Sequence, residues 1–120
     1  MPPEDRDPAY LWDIVEAARE VQRFMTAVRL EEYLQDPMRQ RAIERTIEIL
    51  GEAARNVSET FKAAHPDIPW RSIIAQRHVL AHEYGRIDHT RIWTVATVHI
   101  PDLITKLAPL IPPLPPEVEG

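Results

Sequence analysis

DPMRQRAIERTIEILGEAARNVSETFKAAHP, residues 36–66, carries the longest helical pattern in the chain. It opens on Asp36-Pro37. An aspartate carboxylate can cap the free N–H groups of a helix start, and proline at the first helical position loses no hydrogen bond. Ile43, Ile47, Leu50, Ala54, Val57 and Phe61 then follow at alternating steps of four and three. That spacing draws one narrow apolar seam along a helix of roughly seven turns, ending near His65-Pro66. Gly51 lies in its middle, where glycine costs up to about 1 kcal/mol relative to alanine. A close contact between two helix backbones is expected at that point, which would account for the missing side chain.

The same start signal occurs at Asp7-Pro8. Leu11, Ile14, Val15, Ala18, Val21 and Met25 follow it at helical spacing, which predicts a helix over about 8–27. A short connection holding Leu30, Tyr33 and Leu34 leads to the long helix. Beyond it, a third helix is expected over about 69–84, with Ile73, Ile74, Leu80 and Ala81 inward and Gly85 ending it. Asp88 can cap a fourth, from His89 onward, with Ile92, Val95, Ala96, Ile100, Leu103, Leu107 and Leu110 on its apolar face. Pro101 should kink it or split it in two. No alternating strand pattern competes, and there are only three glycines. The expected fold is therefore all-α, a four- to five-helix up-and-down bundle.

With 120 residues, 44% hydrophobic and 28% charged, the chain can bury one core and is long enough for one domain. Residues 1–111 form that domain, and the proline-rich 112–120 is a tail, read as a frayed end or, alternatively, a docking peptide. There are no cysteines, which excludes disulfides, thiolate metal sites and a thiol nucleophile and fits a reducing, cytoplasmic setting. The acidic opening residues Glu4, Asp5 and Asp7 do not read as a signal peptide, and no apolar span is long enough to cross a membrane.

Fourteen basic against nineteen acidic residues give a net charge of −5, which opposes non-specific attraction to RNA or to a lipid surface. The local distribution differs. Residues 70–91 carry Arg71, Arg77, Arg86 and Arg91 against only Glu83 and Asp88, with His78, His82 and His89 added. Within them RHVLAHEYGRID, residues 77–88, gathers groups able to cleave a phosphodiester. Attack by an RNA 2′-hydroxyl needs a proton removed, a proton delivered to the leaving oxygen, and stabilisation of an anionic phosphorus centre. Histidine, titrating near neutrality, can do the first two and arginine the third, with no metal formally required.

On a regular helix, five residues separate Arg77 from His82 by about 7.5 Å in rise and about 140° in azimuth. One copy alone is an awkward active site, so a composite site at a homodimer interface is expected. Tyr84 lies two turns after Arg77 on nearly the same side. Its hydroxyl can reach the same cleft, or its ring can simply pack at the helix end.

Other chemistry is weaker. His78 and His82 have the i, i+4 spacing of two zinc ligands, but a third ligand is missing and Glu83 points away. Glu44, Glu48 and Glu52 follow at steps of four, interleaved with Arg41, Arg45 and Arg55, which reads as a solvated, salt-bridged face. No glycine-rich phosphate loop is present, which excludes P-loop nucleotide hydrolysis. No cofactor is expected.

From Tyr10 to Leu110 the sequence resembles the HepT-like toxins of the HEPN superfamily. The strongest element is the pattern Arg, four residues, His, one residue, Tyr, met by Arg77, His82 and Tyr84. IEILGEAA (residues 47–54), DIPW (67–70) and the Ile-Asp step followed by Trp93 support it. The resemblance implies the toxin of a type VII toxin–antitoxin pair: a metal-independent, homodimeric endoribonuclease with Arg77 and His82 catalytic. It further implies a nucleotidyltransferase antitoxin (MntA-like) that neutralises the toxin by transferring AMP to Tyr84, placing phosphate oxygens where they would occupy Arg77 and exclude RNA. Relatives often carry Asn directly after the motif arginine. Here His78 stands there and is expected to support the cleft. The alternative is a non-catalytic helical module that docks on a nucleotidyltransferase, a reading that the net acidity favours slightly.

Overall fold

The computed structural model describes residues 3–82, 85 and 87–112. Tyr84, the expected modification site, and 113–120 of the proline-rich tail lie outside them. Helices α1 (Asp7–Phe24), α2 (Leu30–Leu34), α3 (Pro37–Asn56), α4 (Glu59–Ala64), α5 (Trp70–His82), α6 (His89–Thr94) and α7 (Ile100–Leu107) follow in order, with no strand among the described residues. The fold is the all-α bundle that the periodicity predicts. α3 is its central rod, packed between α1 and α5, and α7 lies against α1. Among the described residues no helix is long and apolar enough to cross a membrane.

The core follows the predicted seams. Leu11, Ile14, Val15, Ala18 and Val21 of α1 meet Ile43, Ile47, Leu50 and Ala54 of α3, all buried, and each large aliphatic side chain contributes roughly 1.5–3 kcal/mol by leaving water. Ile92, Ala96, Ile100, Leu103 and Leu107 close the core from the C-terminal rod. α2 is locked in by Tyr33, which is fully buried with its ring centroid 5.9 Å from that of Trp93, and by Gln40, whose Nε2 donates to the Tyr33 carbonyl at 2.9 Å. α5 is shallower than expected: Leu80 is buried, but Ile73, Ile74 and Ala81 are only half-buried.

Three local expectations change. The seven-turn helix is two helices, because Val57 is extended (φ −66°, ψ 143°) and Ser58 caps α4 by accepting the Phe61 N–H. Asp7 is the cause. Instead of capping α1 it sits in the first turn and accepts two hydrogen bonds from Ser58, from the backbone N–H at 2.8 Å and the hydroxyl at 2.6 Å. That turns the chain away from α3 while Val57 stays in the core.

The C-terminal helix runs on through Pro101 without a non-helical break. It widens into a π-turn over Val95–His99 before resuming as α7. A proline ring collides with the carbonyl four residues back, here Thr97, and the wider turn relieves that collision. Asp36 and Asp88 cap as expected: Asp36 accepts from the Arg39 N–H, and Asp88 from those of Thr90 and Arg91.

Candidate active site

The helix carrying the motif is held against α3 at one narrow place. A Cβ built on Gly51 would lie 2.2 Å from Arg77 Cβ and 3.2 Å from the Ile73 carbonyl oxygen, so only a glycine lets α5 approach this closely. The mid-helix glycine is therefore the seat of Arg77.

The Arg77 side chain is 24% exposed, and its Nη2 lies 3.0 Å from Glu52 Oε1, the residue next to Gly51. Arg77 Nε is buried without a hydrogen-bond partner. Arg55 Nε also faces Glu52 Oε1, at 3.7 Å. Arg77 and Glu52 stand in the wall of an open groove of about 490 Å³ between α1 and α3, whose α1 side carries Asp13, Glu16 and Glu20. Arg45 and Glu48, paired at 3.5 Å, line it on the α3 side.

His78 and His82 are exposed. Their ring centroids are 4.7 Å apart. The structure thus brings the two imidazoles together on the open side of α5 and sets the guanidinium against α3. No hydrogen bond or ion pair joins Arg77 to His82 within one chain among the described residues. Among the described residues, no three His, Cys, Asp or Glu side chains gather as a metal site.

The acidic stripe of α3 is more than the solvated face read from its spacing. Arg45 pairs with Glu48 and Arg55 with Glu52 as expected, but Glu52 also reaches Arg77, and Glu44 Oε2 reaches His89 Nδ1 at 3.2 Å, with the Glu44 side chain 15% exposed. Burial pushes the Glu44 carboxyl above its ordinary range, with His89 and Arg41 pulling the other way. Burial also raises the Tyr33 hydroxyl, and the charge of Glu44 adds to this. Glu52 is the residue that spacing alone overlooked. Its signal was the adjacent Gly51, since the residue next to a close helix contact lies about 100° around the helix, at the rim of that contact, where a long side chain can reach across.

Comparison with known proteins finds relatives over most of the chain. The family model described as ribonuclease HepT-like matches residues 14–110. A Thermococcus cleftensis protein named "Probable ribonuclease HepT" is 38% identical over 101 residues, covering 84% of this chain and 92% of its own. A Methanocaldococcus jannaschii protein named "Putative RNase MJ1380" is 32% identical over 95 residues, covering 79% of this chain and 87% of its own. No solved structure matches. With nearly its whole helical core matched, from the middle of α1 to the end of the C-terminal rod, this chain belongs to the ribonuclease HepT-like family.

Proposed function

We propose that this protein is a metal-independent endoribonuclease and the toxin of a toxin–antitoxin pair. The observation that carries the reading is the seat of Arg77: a permanent cation pinned by Gly51 and Glu52 at the wall of an open groove, on the same helix as the His78–His82 pair. The names of its relatives, which are ribonucleases by designation, point the same way.

In this reading an RNA 2′-hydroxyl attacks the adjacent phosphorus and loses its proton to an imidazole. The bond to the 5′-oxygen breaks, and that oxygen takes a proton as it leaves. The products are a 2′,3′-cyclic phosphate and a free 5′-hydroxyl. Arg77 stabilises the charge that builds on the phosphoryl oxygens, and His82 carries the proton, with His78 beside it. Because Arg77 faces α3 while His82 faces outward, the working unit is a homodimer in which one copy's imidazole meets the other's guanidinium across a shared cleft. A nucleotidyltransferase antitoxin of the MntA-like kind silences it by joining the AMP moiety of ATP to the Tyr84 hydroxyl, with pyrophosphate leaving.

The test is RNA cleavage in chelator by the intact chain, Arg77→Ala and His82→Ala. Cleavage ending in cyclic phosphate, lost in both variants, is the expected result; equal cleavage by all three proteins refutes it. Co-expression with the antitoxin should add AMP to the chain and none to Tyr84→Phe. Modification at Tyr84 of a dimer that never cleaves RNA would mean a docking module instead.

A further inference from the structure

A guanidinium offers an anion two paired edges, one made by Nη1 and Nη2 and one by Nε and Nη2. Nη2 belongs to both. In this structure it is Nη2 that faces Glu52 Oε1, at 3.0 Å, while Nε is buried. The contact is an ion pair that does not line up as a hydrogen bond, and the Glu52 side chain is 42% exposed, so the carboxylate can swing away into the groove. The stem of Arg77 stays behind, because its Cβ and Cγ are wedged over Gly51, while the guanidinium beyond them can still turn.

From this asymmetry we infer that Glu52 is a positioning residue for the reaction. It holds the Arg77 guanidinium in place in the free protein and gives up Nη2 when the scissile phosphate arrives. The inference rests on the reading of Arg77 as the group that stabilises the reacting phosphate. Glu52 therefore acts in two opposed directions. Its hold keeps the guanidinium oriented, which favours turnover, since a misplacement of about 1 Å can cost roughly 100-fold in rate. Its charge competes with the phosphate for the same nitrogen and repels it, which opposes binding.

Glu52→Gln keeps the shape and removes the charge. On a short RNA at varied concentration, kcat should fall roughly tenfold, within the loss that misorientation allows, and KM should fall with it. A merely structural role would lower the active fraction and leave KM unchanged. In an Arg77→Ala background, Glu52→Gln should no longer tighten RNA binding beyond a small uniform effect. A second readout needs no activity: the buried Arg77 Nε–H should give a slowly exchanging nitrogen-15 resonance in the intact chain, and exchange should speed up in Glu52→Gln.

Wild-type cleavage lost in Arg77→Ala, but with kcat and KM both unchanged in Glu52→Gln, overturns the role of Glu52 alone. So does an unaltered Arg77 resonance. Absence of cleavage by the wild type, or full cleavage by Arg77→Ala, overturns the reading of Arg77 and this inference with it.

Discussion

Gly51 lies directly beneath Arg77, at a separation where a methyl group would overlap the arginine's Cβ at 2.2 Å. Gly51→Ala therefore sets two effects against each other. Helix propensity favours alanine by up to about 1 kcal/mol, whereas overpacking a tight contact costs about 1–3 kcal/mol. The overlap is with the first carbon of a side chain, not its flexible end, so overpacking wins. The variant should have a lower midpoint in urea and should lose RNA cleavage beyond its loss of folded protein, because α5 has to shift and carries Arg77 with it. A variant more stable than wild type with full activity would disprove this seat.

Asp7 and Ser58, 51 residues apart in sequence, tie the start of α1 to the break after α3. Both are buried. Asp7→Ala leaves the Ser58 donors without their acceptor and should cost roughly 1–3 kcal/mol. Ser58→Ala removes the hydroxyl and the α4 cap together, at about 1 kcal/mol or more. Combined, the two should cost clearly less than their sum, since residues that share a bond are not independent. Simple additivity in urea unfolding would show that the bond contributes nothing.

How far the molecule could be read from its sequence follows from which forces are local. The seams at Leu11 to Val21 and Ile43 to Ala54 depend only on spacing within one helix, and they form the core as predicted. The break at Val57 depends on Asp7, half the chain away, and no periodicity near residue 57 records it. The same holds at the candidate site. Gly51 announced a close contact, but its partner, Arg77, belongs to another helix, as do those of Glu52 and Glu44. Motif spacing located Arg77, His78 and His82 on α5. It also gave the azimuth between them, but not which of them would be turned inward.

Two carboxyls set opposing pH dependences. The backbone N–H of Arg39 holds the Asp36 carboxyl below its ordinary 3.8, so its stabilisation is present above that value and is lost as pH falls through the lowered one. Glu44 is the reverse. Burial raises it above its ordinary 4.5, so the folded state binds the extra proton, and stability declines as pH climbs from that value through the raised one. Urea midpoints followed across the acid range should fall less steeply on the acid side in Asp36→Asn. In Glu44→Gln they should lose the decline above it. A wild-type decline that persists unchanged in Glu44→Gln would place the titrating group elsewhere.

Tyr33 has no exposed surface, and its hydroxyl has no protein hydrogen-bond partner. Its ring fills the space between α2, α3 and Trp93, while its oxygen has given up hydration without a protein hydrogen bond in return. Phenylalanine keeps the ring and removes the unpaired group. Tyr33→Phe should therefore unfold at the same urea concentration as wild type or a higher one, gaining up to about 1 kcal/mol. Tyr33→Ala should lose about 3–5 kcal/mol through the cavity it leaves. A clear loss of stability in Tyr33→Phe would mean that the hydroxyl is satisfied in solution, and that the neighbouring Glu44 carboxylate, whose charge already raises it, is the acceptor.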